Sequence, residues 1–128
     1  MSPLSDIGLN PAVRARAAEF FGAESTAIEA LWHPTLTELL ADCSERARHE
    51  LLTLFNSTVA RLAQAFERVD DAHLADHLWR LAETAWRHEV PYSVLSRAFR
   101  SLERSVRRRL REWLPMSVER EETYFEIE

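Results

Sequence analysis

Residues 92–114 read YSVLSRAFRSLERSVRRRLREWL, and this stretch decides the fold class. Its apolar side chains recur at spacings of three and four residues, which places them on one face of an α-helix. They are Leu95, Ala98, Phe99, Leu102, Val106, Leu110 and Trp113. The stretch therefore predicts a long amphipathic helix that begins after Pro91 and is closed by Pro115.

The segment between Leu36 and Val69 has the same three-and-four spacing of apolar residues. A single straight helix of that length would span roughly 50 Å at ~1.5 Å per residue, which is long for a compact domain of this size. We therefore expect at least one bend, near residues 43–44 or near residues 56–57. The pattern leaves open whether the segment is one helix or two.

The N-terminal part predicts two shorter helices. Asn10 can cap a helix whose first residue is Pro11, and that helix is expected to stop at Gly22. A second helix is expected over residues 25–32, ending before Pro34 because the residue before a proline disfavours helical geometry.

Asp70 and Asp71 are predicted to cap a further helix over residues 72–89. The fold expected from all these segments is all-α, a single domain of five to six helices in a globin-like or helical-bundle arrangement. The domain is expected to cover residues 1–115. Residues 116–128 are expected to form an acidic tail or a connector to an output domain.

Composition narrows the classes of protein that the chain can belong to. It has 128 residues with only two glycines, so the tight turns of β-hairpins are poorly supplied. No apolar run approaches the ~20 residues of a transmembrane helix, and no membrane association is expected. A single cysteine, Cys43, cannot form an internal disulfide, and the N-terminus lacks a signal-peptide pattern. These features predict a cytoplasmic protein.

An arginine face is the sharpest charge pattern in the chain. Six arginines of the last long helix fall within about a third of the helical wheel, opposite its apolar stripe: Arg97, Arg100, Arg104, Arg107, Arg108 and Arg111. Such a row can dock an acidic protein surface or stay solvated, balanced in part by the acidic tail. A net charge of −5 argues against nucleic-acid binding.

Histidines offer weaker candidates. His73 and His77 have the i, i+4 spacing of metal ligands, but only Asp70 is near enough to complete a set, and no metal site is expected. His88 lies at the edge of an apolar helix face and is the haem ligand if there is one. A boundary histidine without a ligand is the favoured interpretation, so no cofactor is expected.

Aromatic and aliphatic side chains around these helices could line an apolar ligand pocket or could simply form the core. The candidate pocket residues are Trp79, Leu81, Trp86 and Phe99. Nothing in the chain matches a nucleophile or a phosphate-binding loop, because Cys43 lies in an apolar row and glycine is scarce. The chain is therefore not expected to be an enzyme.

The junction of the last two long segments, residues 85–99, reads AWRHEVPYSVLSRAF. It resembles the junction before the long penultimate helix of bacterial globin-like sensor domains, both the haem-bearing globin-coupled sensors and the haem-free RsbR-type N-terminal domains. In the haem-bearing sensors the iron-ligating histidine stands at the position that Ala85 occupies here, and a glycine stands where this chain has Glu89. The resemblance therefore implies the haem-free branch, a homodimer formed through the last helices, and a C-terminal output domain or signalling partner.

The leading functional hypothesis is a non-catalytic sensory or regulatory domain that controls a signalling output. The alternative is a helical-bundle adaptor that docks an acidic partner through the arginine face. A third hypothesis, nucleic-acid binding by the last helix, is disfavoured by the net charge.

Overall fold

The computed structural model describes the backbone of residues 11–68 and 71–127, and the side chains of residues 11–68 and 71–115. These residues form the helices α1 (Pro11–Leu39), α2 (Glu45–Asn56), α3 (Thr58–Arg68), α4 (Asp71–Arg87) and α5 (Tyr92–Ile127). No strand occurs in these ranges, so the prediction of an all-α protein is confirmed. The finer predictions, five to six helices in a globin-like or bundle arrangement, stay predictions.

Helix α1 is already helical at Pro11, the first residue that the structure describes, and it does not stop at Gly22 or before Pro34. The prediction of two short helices here was wrong. An interior proline costs about 3 kcal/mol, but Trp32 and Leu36 on either side of Pro34 are fully buried, and each contributes roughly 1.5–3 kcal/mol. Packing of this face against the rest of the molecule therefore outweighs both helix-breaking residues.

The expected bend in residues 36–69 occurs at both suggested places. The first is the turn after α1, where the Ser44 hydroxyl caps α2 by accepting from the Ala47 N–H at 3.1 Å. The second is Ser57, the single residue between α2 and α3, so these two helices form one rod with a local break.

Helix α4 ends in a left-handed residue. Glu89 has φ 56°, and the amide of Val90 donates to the Ala85 carbonyl at 2.8 Å while that of Glu89 donates to the Trp86 carbonyl at 3.1 Å. This pattern is the Schellman motif, in which the left-handed position is usually glycine. The motif reverses the chain, and α5 starts at Tyr92 as predicted.

Helix α5 continues through Pro115 to Ile127, so the expectation that Pro115 closes it was wrong. A proline removes one backbone hydrogen bond and can bend a helix without ending it. The helix therefore crosses the expected boundary between residues 115 and 116. An output domain beyond it stays a prediction.

The core lies around α1, which packs mainly on α3 and α5, whereas α4 packs on α2 and α3. Trp32 is at its centre: the indole N–H donates to the Ala98 carbonyl of α5 at 2.9 Å, and the ring meets Phe55 edge-on with centroids 5.4 Å apart. Helices α4 and α5 follow each other in the chain but touch only sparingly. A groove therefore opens between them.

Candidate functional site

The outer side of α4 is apolar and uncovered. Trp79 and Trp86 are 70% and 80% exposed, and Leu78 is 38% exposed, although the sequence places all three on one broad apolar arc of the helix. From this arc, Leu81 and Ala85 are buried in the core. The remainder faces solvent because α5 does not close over it.

Helix α5 is rotated from the orientation that its apolar stripe predicts. Ala98 and Leu102 are buried as expected, but Ser101 and Ser105 are buried beside them against α1. Phe99, Val106 and Leu110, on the other flank of the stripe, are only partly buried. The rotation turns this flank toward α4 and leaves it half covered.

The two incompletely covered faces border a groove of about 500 Å³. Leu78, Leu81 and Ala82 line it from α4, and Tyr92, Leu95 and Phe99 line it from α5. Tyr92 remains 82% exposed at its mouth. We call the groove together with Trp79 and Trp86 the α4–α5 surface.

Two of the four predicted pocket residues, Leu81 and Phe99, line this groove. Trp79 and Trp86 do not line it: they are exposed on the outer face of α4, so their place in a ligand pocket stays a prediction. Sequence reasoning missed Leu78 and Tyr92 as lining residues. Both sit beside predicted residues, but only the relative position of α4 and α5 shows that they face each other.

All six members of the arginine face are exposed, but they do not all border the groove. Arg104 and Arg108 line a separate, smaller depression of about 200 Å³ between α5 and Leu31 and Thr35 of α1. Arg100 lines the groove itself. Arg107 is held by Glu103, the only carboxylate in the described lining, at 2.6 Å. The neighbouring Arg109, outside this face, instead bonds Glu24 of α1 at 2.9 Å and ties the two long helices together.

The backbone of α5 continues past the arginine face. Position 119 lies about 12 Å along the helix from Arg111, the last member of that face, at ~1.5 Å per residue.

His88, the candidate haem ligand, does not line the groove. Its Nε2 lies 2.7 Å from the Glu50 carboxylate of α2, and this hydrogen bond is the main reason why the pKa of Glu50 is lowered. The nitrogen that would face an iron is thus engaged in a contact between two helices.

The candidate metal pair is divided between two environments. His77 is buried, with Nε2 2.9 Å from the Thr58 hydroxyl, which itself donates to the Leu54 carbonyl at 3.1 Å. Loss of hydration on burial lowers the pKa of His77. His73 is exposed one turn away, and Asp70 lies outside the described residues. Among the described residues no cluster of metal-binding side chains occurs.

A larger depression, of about 660 Å³, is lined by Glu45, Arg46, Arg48, His49 and Leu52. All of these belong to α2, so the depression is a concavity on a single helix and not a cleft between elements. The α4–α5 surface is the better candidate because two helices converge on it and its lining is apolar.

No described helix is long and apolar enough to cross a membrane. Comparison of the chain with protein-family models, curated proteins and solved structures finds no match. The similarity to globin-like sensors therefore rests on residues 85–99 alone and stays a prediction.

Proposed function

We propose that this chain is a non-catalytic regulatory domain that acts by binding a partner protein through the α4–α5 surface. The observation that carries the proposal is the exposure of Trp79, Trp86 and Tyr92 beside an apolar groove. Tryptophan and tyrosine contribute most of the binding energy at many protein interfaces. A cytoplasmic location fits such a domain and is part of the proposal.

The amount of exposed aromatic surface supports an interaction role. A tryptophan or tyrosine buries about 150–250 Å², so at 70%, 80% and 82% exposure these three side chains leave on the order of 450 Å² in water. The largest apolar patch on a typical monomer is about 300–600 Å², and a standard interface covers ~800 Å² per partner. The three aromatics alone could provide about half of one side of such an interface.

Site-specific photo-crosslinking in the host cell tests the proposal. A photoreactive amino acid at position 86 or 92 should give the same adduct from both positions. The same amino acid at position 33 is the control, because His33 is exposed on α1, a helix that does not border the groove. Adducts at position 33 as strong as those at 86 and 92, or none at any position, would contradict the proposal.

The homodimer that the resemblance implies, formed through the last helices, is a separate proposal. Sedimentation velocity of the purified chain measures it directly. If the chain dimerises through the α4–α5 surface, Trp79→Ser with Trp86→Ser should shift it to monomer. A dimer that is unaffected by this pair of changes would use another face.

A haem-free globin-like sensor is the second candidate function. The resemblance of residues 85–99 to the junction of such sensors supports it. Its test is the visible spectrum of the protein with added haem, alongside His88→Ala. We expect no Soret band that depends on His88, because this side chain is bonded to Glu50 away from the groove. A His88-dependent band would instead establish haem binding.

A further inference from the structure

We propose that the occupant of the α4–α5 surface is an amphipathic helix of a partner protein, with apolar anchors on one face and carboxylates along one edge. This inference rests on the proposed function and specifies the chemistry of the partner. It follows from the length of the groove, its openness to solvent and the position of the arginines.

The groove has the length that a helix requires. Its α5 wall runs from Tyr92 to Glu103, which is about 16 Å or three helical turns at ~1.5 Å per residue. A helix laid along it can place side chains at i, i+3 or i+4, and i+7 against the apolar lining, as in other helix-in-groove complexes. The wall of α4, at Leu78, Leu81 and Ala82, faces the middle of this length.

The groove is a trough and not a closed pocket. Tyr92 and Leu78 line it, yet they stay 82% and 38% exposed, and Trp79 and Trp86 lie just outside it. A small molecule in a binding pocket typically has about 70–90% of its surface buried, which this lining cannot provide. A helix that rests in the trough and also covers the outer tryptophans buries the whole exposed surface.

The charge on the two sides of the groove is different, and the difference defines the polar edge of the partner. On the α5 side, Arg100 lines the groove, while Arg104, one turn further along the helix, lines a separate depression against α1. Arg97, Arg100 and Arg104 make no ion pair among the described residues. The carboxylate of Glu103, also on this side, is already occupied by Arg107. Carboxylates of a partner helix would therefore find unpaired guanidinium groups only along α5.

On the α4 side, the Arg80 guanidinium forms an ion pair with the Asp76 carboxylate at 3.6 Å. This pair lies on the polar arc of α4, beyond the two tryptophans. This side offers no unpaired row of cations comparable to the arginine face. The partner helix should therefore carry its acidic residues on the edge that faces α5, which also fixes how the helix is rotated about its own axis.

Two synthetic peptides of about 15 residues, near the shortest length that forms a helix in isolation, test this inference on the full chain. Both carry leucines at i, i+3, i+4 and i+7. One has glutamates along the flanking edge, and the other has lysines at the same places. Binding is measured by the anisotropy of a dye on the peptide and by the emission of Trp79 and Trp86, which should shift to shorter wavelength on burial.

We expect the glutamate peptide to bind at least about tenfold more tightly than the lysine peptide at low salt. The glutamates would form two or three surface ion pairs worth about 0.2–1 kcal/mol each, whereas lysines at the same places would meet repulsions of similar size. Added salt should narrow this difference. Arg100→Glu with Arg104→Glu should reverse the preference. Arg46→Glu with Arg68→Glu is the matched control: it makes the same change in net charge at exposed arginines of α2 and α3, outside the α4–α5 surface, and should leave the preference intact.

The outcomes separate the inference from the proposed function. If both peptides bind equally and Trp79→Ser with Trp86→Ser weakens both, the surface binds helices but the charge assignment is overturned. If neither peptide binds and the tryptophan emission does not change, while crosslinking from positions 86 and 92 still captures one partner, the inference of a helix is overturned and the proposed function stands. If the full chain self-associates in competition with the glutamate peptide, the occupant is a second copy and the inference of a different partner is wrong.

Discussion

Replacement of Glu89 by glycine should stabilise the protein. Glu89 has φ 56°, in the left-handed region where an L-residue pays roughly 1–2 kcal/mol because its Cβ crowds the following carbonyl. Glycine avoids this strain, but its greater conformational freedom in the unfolded chain lowers the free energy of unfolding by about 0.5–1 kcal/mol. The expected net gain from the backbone is therefore about 0.5–1 kcal/mol.

The charge of Glu89 adds a separate effect, since an anion at the C-terminal end of α4 opposes the helix dipole by about 0.3–1 kcal/mol. Glu89→Ala isolates it, because alanine removes the charge and keeps the Cβ. The gain of Glu89→Gly over Glu89→Ala then measures the relief of backbone strain less the entropy cost of glycine. Glu89 is exposed, so neither substitution changes the packing of the core.

Urea denaturation followed by far-ultraviolet circular dichroism is the appropriate assay, with the midpoint shifted upward and the slope unchanged. A gain near 1 kcal/mol should also raise the melting temperature by about 2–5 °C in a domain of this size. If Glu89→Gly is less stable than Glu89→Ala, position 89 is not strained and the assignment of a Schellman motif with a misfit residue is refuted.

Three further predictions concern stability. Trp32→Ala should lower the free energy of unfolding by about 3–5 kcal/mol, because the ring is fully buried and its N–H donates to the Ala98 carbonyl. Trp79→Ala should change it by less than about 0.5 kcal/mol, because that side chain is 70% exposed. Equal losses in urea titrations would contradict this placement of the two tryptophans. Gly22→Ala should raise the free energy of unfolding by about 1 kcal/mol in the same assay, because the position is inside α1 and an added Cβ would meet nothing within 4 Å. A loss of stability would mean that the helix is interrupted there. The pKa of His77 in the folded protein is below its value of about 6.5 in the unfolded chain. Above neutral pH the imidazole is uncharged in both the folded and the unfolded protein. The free energy of unfolding should therefore fall as the pH drops through about 6.5, because the unfolded chain binds the proton first. His77→Gln should remove this part of the pH dependence, and an unchanged slope between neutral pH and about pH 5 would show that another group is responsible; Glu50, with a pKa below 4.5, contributes only at lower pH.

Much of the helical pattern is local and could be predicted from the chain. The apolar spacing of residues 92–114 and the reversal before Tyr92 each depend on side chains within a few residues of one another. The errors at Gly22, Pro34 and Pro115 all concern residues that were expected to end a helix. Each residue weakens a helix by a known local amount, but whether the helix survives depends on packing, as the burial of Trp32 and Leu36 around Pro34 illustrates.

The candidate site was predictable only in part, for a related reason. A helical wheel shows that α4 and α5 are each apolar over a broad arc, but it does not show which part of that arc the core will use. Trp79 and Trp86 were expected in a pocket, and both proved to be exposed. Arg97 and its five neighbours could be placed on one exposed face from the sequence alone, because charged residues opposite an apolar stripe face water.

The sequence by itself determined that this protein is all-helical, where its longest helix begins, and that one face of that helix is a row of arginines. These properties follow from the 3.6-residue period and from the backbone chemistry of proline. Only the tertiary structure decided that α1 and α5 pack closely through Trp32 and Ala98 while α4 stands apart from α5. The groove, the exposed tryptophans and the position of Arg100 at its side depend on distances between residues that are far apart in the chain, and no local pattern encodes those distances.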